Sequence, residues 1–157
     1  MPNWCRNNLV VSSNEPHLIS RFSKALETDG FFQALKPNPT GVWDYAWSVE
    51  NWGTKWDVSG NDIQVVQIDN DRVIIEFDTA WGPPIAFYET LEELGFIVTA
   101  MYHGEGMAFC GIYTESEDDY YEYGDMTHEE IRASLPDELD ECFAISDMVE
   151  ERMQNEE

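Results

Sequence analysis

Two segments of helical periodicity, each set between strand-like runs, constrain this chain more than any other feature. Residues 15–27 place Leu18, Ile19, Phe22, Ala25 and Leu26 on one face, with Pro16 in the first turn and Gly30 just past the end. The second segment starts after Gly82, Pro83 and Pro84. It sets Phe87, Leu91 and Leu94 on one side, and Gly95 follows as a C-terminal cap. Strand-like runs surround them at residues 4–11, 63–68, 72–78, 96–102 and 107–114. The turn Asp69-Asn70-Asp71 makes a hairpin of the second and third, with Val73, Ile75 and Phe77 on one face. The order strand, helix, strand, strand, helix, strand, strand predicts an α+β domain. Its first six elements are those of a ferredoxin-like sandwich, an antiparallel sheet with two helices on one face, and the last is an extra strand.

Residues 31–60 show neither period. They hold the stretch Asn51-Trp52-Gly53-Thr54-Lys55-Trp56-Asp57, flanked by Trp43 and Trp47, while Trp4 and Trp81 lie elsewhere. A Trp ring gains by hiding its surface but needs a partner for its indole N–H. The expectation is therefore an inserted loop folded inward, as a plug or a pocket wall. Asn7, Asn51, Trp52, Lys55, Trp56, Asp57 and Trp81 are candidate pocket residues if the first strand, the insertion and the end of the third strand meet. In the plainer alternative, Lys55 and Asp57 pair and the Asn side chains bond loop backbone.

Charge excludes several partners. The 157 residues carry 32 Asp and Glu against 8 Lys and Arg, a net −24 with a pI near 4.1. Such a surface repels phosphate and anionic membranes and favours basic partners, so no direct contact with nucleic acid is expected. No apolar run is long enough for a bilayer, and no signal pattern opens the sequence. Cys5, Cys110 and Cys142 are odd in number and widely spaced, which fits a reducing cytoplasm better than a disulfide framework.

Little catalytic or metal chemistry is encoded. His17, His103 and His128 fall on separate elements without paired spacing, so no metal is expected. The acidic runs 69–71 and 118–119 lack the ligand periodicity and Gly of a calcium loop. His103-Gly104-Glu105-Gly106 reads as a hairpin turn, because the chain has no Gly-x-Ser-x-Gly nucleophile elbow. A Gly-rich phosphate loop is also missing, and no cofactor is expected.

From residue 115 onward the composition changes, dividing the chain into residues 1–114, with the insertion at 31–60, and an acidic helical extension at 115–157. The extension holds 17 acidic and 2 basic residues. Glu117, Asp118, Asp119 and Glu122 alternate with Tyr120, Tyr121 and Tyr123. Thr127 to Glu130 forms a capping box, and Pro136 opens a further helix. Leu139, Cys142, Phe143, Ser146, Val149 and Met153 make its apolar stripe, which either docks on the domain or meets a second chain as a homodimer.

Three motifs together resemble a known family. Met1-Pro2-Asn3-Trp4-Cys5 with Asn7, then residues 51–57, then Phe77-Asp78-Thr79-Ala80-Trp81-Gly82-Pro83-Pro84 are similar to the YubB-like ferredoxin-like domain family of phages, plasmids and their bacterial hosts. The resemblance implies a ferredoxin-like fold and a mobile-element origin, in a bacterial cytoplasm. It brings no established reaction and no catalytic residues.

Three functions compete on these grounds. The first is a non-enzymatic protein that binds a basic surface of a host protein as a nucleic-acid mimic, inhibiting a defence or nucleic-acid-binding protein. Glu138, Glu141, Asp147, Glu150 and Glu151, with Asp118 and Asp119, would form the carboxylate array, since duplex DNA itself carries about one charge per 1.7 Å. The second is a small-ligand or enzymatic domain centred on the Trp-rich loop, and the third is an accessory dimerisation module.

Overall fold

The computed structural model describes residues 3–155 as an α+β protein with seven helices and one six-stranded antiparallel sheet. The strands are β1 (Trp4–Ser12), β2 (Gln64–Ile68), β3 (Arg72–Ala80), β4 (Ile97–Gly104), β5 (Phe109–Thr114) and β6 (Glu117–Glu122). The helices are α1 (Pro16–Ala25), α2 (Phe31–Leu35), α3 (Tyr45–Trp52), α4 (Ile85–Leu94), α5 (His128–Ser134), α6 (Asp137–Phe143) and α7 (Ile145–Asn155). The sheet order is β2-β3-β1-β4-β5-β6, so β1 runs between β3 and β4.

Alternation along the strands sorts side chains onto two faces. Leu9 and Val11 of β1 lie beside Ile75 and Val73 of β3 and beside Ala100 and Val98 of β4. All six are buried, and α1 and α4 cover them with Leu18, Ile19, Phe22, Phe87 and Leu91. Phe31 and Phe32 of α2 complete this core, with Phe31 edge-on to Phe22 at 5.3 Å and Phe32 tilted against Phe87 at 4.4 Å.

The opposite face is covered at the β4-β5-β6 end. Cys110, Met101, Ile112 and Tyr121 point there, and Ile131, Leu135, Leu139, Phe143, Ile145 and Val149 of α5–α7 pack on them. At the β2-β3-β1 end the same face carries Arg6, Glu76 and Asp78, and it is open to solvent.

Three sequence expectations change here. Within 115–157, residues 117–122 form a sixth strand on β5 rather than helix or turn. The single helix expected after Pro136 is two, because Ala144 adopts φ 52° and breaks it between Phe143 and Ile145. The insertion at 31–60 is not an irregular loop but carries α2 and α3.

Candidate functional site

The centre of the Trp-rich stretch is built by local capping. Asp44 accepts a hydrogen bond from Trp47 N and starts α3. Gly53 ends it at φ 85°, where a Cβ would stand 2.8 Å from Ile85 N, so glycine is required by conformation and by space. Trp52, 4% exposed, lies against Phe32 and edge-on to Trp47, and its indole N–H donates to Lys36 O at 3.0 Å. Thr54 is buried and donates to Ala80 O, tying the stretch to the end of β3.

Asp57 serves the fold. Its carboxylate accepts from Phe32 N (2.7 Å), Gln33 N (3.0 Å) and Val58 N (2.7 Å), which holds the start of α2. Burial lifts its carboxyl above the usual range, and the three N–H donors act in the opposite sense. The expected pairing of Lys55 with Asp57 is absent, because the carboxylate is already saturated by backbone. Lys55 instead places its ammonium 4.2 Å from the centre of the Trp56 ring.

Inward folding holds for Trp52 and in part for Trp47, which packs half-buried against the core, but not for the other four Trp. Trp56 is 40% exposed, Trp4 49%, Trp43 55% and Trp81 46%. Trp4 alternates with buried Cys5 and so stands on the open face of the sheet, where its ring tilts against Trp56 at 6.0 Å. Trp43 donates its indole N–H to Lys55 O, and Trp81 N donates to Asn3 O beside Trp4. Trp81 takes φ 71°, an uncommon conformation for a bulky side chain.

These positions do not converge on one pocket. Asn7 is fully buried on the core side of β1, donating to Cys5 O, Phe77 O and Thr79 Oγ1 and accepting from Tyr88 Oη. Asn51 bonds back to Trp47 O on its own helix. What does form is a cleft of about 370 Å³ lined by Trp4, Asp57, Val58, Asp62 and Asp78. It opens where β2 runs out: β2 pairs with β3 only as far as Glu76, and residues 77–80 continue past it. Sequence reasoning missed Asp62 and Asp78. The available signal was the alternation of β1 and β3, which puts Trp4 and Asp78 on the face opposite the core.

The acidic candidates of the C-terminal part divide. Glu138, Glu141 and Glu151 are exposed on α6 and α7 with no hydrogen-bond or ion-pair partner among the described residues, and Asp119 stands likewise on β6. Asp147 and Glu150 are taken by Arg132, at 3.1 and 2.7 Å, which pulls the Glu150 carboxyl below its ordinary value. Asp118 accepts from Tyr102 Oη at 2.5 Å. Asp118 and Asp119 point to opposite faces of β6, so the seven do not make one row.

Among the described residues, no thiol is shifted toward the thiolate form. Burial pushes the Cys5 and Cys110 thiols up to about 12, away from the thiolate form. Burial lowers the His103 pKa, and its Nε2 meets Tyr123 Oη under Phe143. Among the described residues, no group of three or more His, Cys, Asp or Glu is placed to hold a metal ion, and no helix is long and apolar enough to cross a membrane. A second cleft, of about 410 Å³, runs along α1 between His17, Ser20, Arg21, Lys24 and Thr28. No family model, no characterised protein and no solved structure matches the chain.

Proposed function

We propose that this chain is a non-enzymatic binding protein whose ligand is a basic surface on another protein, occupied as a nucleic-acid mimic. The carrying observation is the imbalance of exposed charge. Acidic residues outnumber basic ones by 32 to 8, and three of the eight cations, Arg6, Arg132 and Arg152, are already engaged by carboxylates of the same chain. The surface left over is strongly negative, and a groove built for phosphates is its natural complement. Glu138, Glu141, Glu151 and Asp119 are the carboxylates best suited to such contact, since none is spent internally. Asp118, Asp147 and Glu150 contribute field rather than free ligands.

In this reading, the order β2-β3-β1-β4 with α1 and α4 is a ferredoxin-like core, extended by β5 and β6. The motif resemblance to the YubB-like family gives the setting: a phage or plasmid protein acting in a bacterial cytoplasm on a host nucleic-acid-binding or defence protein. A small-ligand pocket or enzyme centred on the Trp-rich loop is less favoured, because Asn7, Trp52 and Asp57 are consumed by the fold. Dimerisation through the C-terminal stripe is less favoured too, since Leu139, Phe143 and Val149 pack on the chain's own sheet.

The test is capture of basic bacterial proteins by the immobilised chain and by its Glu138→Gln/Glu141→Gln/Glu151→Gln variant. Retention by the wild type and its loss in the variant, with melting temperature unchanged, is the expected result. Equal capture by both would move the binding surface elsewhere.

A further inference from the structure

The exposed Trp rings lie at the end of the sheet where β2 stops, and their neighbours are carboxylates. Trp4 forms one wall of the cleft, and Asp57, Asp62 and Asp78 stand around it. Asp57 has both oxygens committed to backbone N–H groups, so it supplies negative potential and not a free acceptor. Asp62 and Asp78 are exposed. Indole faces and carboxylates select the same ligand chemistry, a cation with a flat or apolar body.

The molecule already uses both halves of that recognition beside the cleft. The Lys55 ammonium rests on Trp56, the ring packed against Trp4. The Arg6 guanidinium approaches Asp78 at 3.6 Å and Glu76 at 3.3 Å. Trp4 is still 49% exposed, the Asp62 carboxylate has no partner among the described residues, and Asp78 keeps half of its side chain in solvent beside Arg6.

We infer that the cleft formed by Trp4, Asp62 and Asp78 receives an arginine side chain of the basic partner, stacked on the Trp4 indole and hydrogen-bonded to the two carboxylates. A planar guanidinium satisfies stacking and paired acceptance at once, which an ammonium does not. Charge complementarity fixes the class of occupant. A second copy of this chain would bring another net charge of −24 to the contact, and nucleic acid would bring phosphates; both are repelled. Half-exposed Trp beside a cation site is the composition of a binding anchor, where aromatic and guanidinium groups concentrate the energy.

This inference rests on the basic-partner reading, and its test separates the two. The protein is labelled with 5-fluorotryptophan, each resonance is assigned by Trp→Phe replacement, and N-acetyl-arginine methylamide is titrated in at low salt. The uncharged citrulline analogue and the lysine analogue serve as controls. The expected result is a saturable shift of the Trp4 and Trp56 resonances by the arginine probe, with Trp52 unmoved and citrulline silent. Asp62→Asn/Asp78→Asn should weaken the arginine probe at least 10-fold, while Glu138→Gln/Glu141→Gln/Glu151→Gln leaves it within about 2-fold. The lysine probe should bind several-fold more weakly than arginine. Unmoved Trp4, an equal response to citrulline, or equal binding by Asp62→Asn/Asp78→Asn would overturn the cleft assignment. Capture of basic proteins through Glu138, Glu141 and Glu151 would survive that outcome. Conversely, equal capture by the wild type and the Glu138→Gln/Glu141→Gln/Glu151→Gln variant, with the arginine shift intact, would overturn the reading of the C-terminal carboxylates alone.

Discussion

Replacing Trp52 by alanine removes the ring that joins α3 to the main core. At 4% exposure, with Phe32 and Trp47 at 5.7 and 5.3 Å, the side chain has almost no water contact to fall back on. Its N–H bond to Lys36 O is lost as well, leaving that carbonyl to find water through a disturbed loop. A buried Trp→Ala substitution costs about 3–5 kcal/mol. For a domain of this size each kcal/mol lowers the melting temperature by roughly 2–4 °C, so a fall of roughly 6–20 °C is expected. Trp56 is the internal comparison, with similar chemistry four residues away and 40% exposure. Part of its ring already faces water, so its truncation should cost only about 1–2 kcal/mol on the area removed. Urea titration of both variants at 0.15 M salt gives the two values, with the unfolding slope checked for constancy. Equal losses, or a Trp52→Ala loss below about 1 kcal/mol, would refute the assignment of Trp52 to the core and Trp56 to the surface.

Asp57→Ala should destabilise by about 1–3 kcal/mol because it strands buried N–H donors at the start of α2, while Lys55→Ala should cost less than about 1 kcal/mol; denaturant midpoints distinguish them. His103 is held below its ordinary pKa by burial, so the unfolded chain takes up that proton first. Its contribution is therefore complete above about pH 6.5 and lost as pH falls, and His103→Gln should flatten the acid side of the stability profile relative to wild type. Cys5 and Cys110 are buried and Cys142 exposed, so a thiol reagent should titrate one cysteine in the native protein and all three in denaturant. Neutralising Glu138, Glu141 and Glu151 should leave the melting temperature unchanged or raise it, as self-repulsion falls.

Much of the α+β architecture was legible because its elements bury one face each. Leu9 and Val11, Val73, Ile75 and Phe77, and Val98 and Ala100 alternate strictly, and Leu18, Phe22, Phe87 and Leu91 keep helical spacing. β6 was not legible, since Glu117 to Glu122 has no apolar run and owes its conformation to pairing with β5 and to Tyr121 packing under α5–α7. The break at Ala144 left no mark either, because Ala gives no signal of a positive φ. α2 and α3 are 5 and 8 residues long, too short for a periodic pattern to stand out.

The candidate site was legible by composition but not by direction. A Trp-rich stretch announces large rings without saying which of them meet solvent. Only Trp4, through the alternation of β1, could be placed on the open face. Asp57 looked like one half of an ion pair, yet α2 claimed it, an element whose start the sequence does not announce. Asp147 and Glu150 looked free for the same reason: their capture by Arg132 requires α5 and α7 to lie side by side.

Competition is the most direct test of the central claim. A basic bacterial protein captured by the immobilised chain is challenged with duplex DNA and, separately, with rising salt. If the chain occupies a groove built for phosphates, DNA displaces it, and affinity falls steeply between about 50 and 200 mM salt as counterions compete. A complex that persists in excess DNA and is indifferent to salt would contradict nucleic-acid mimicry.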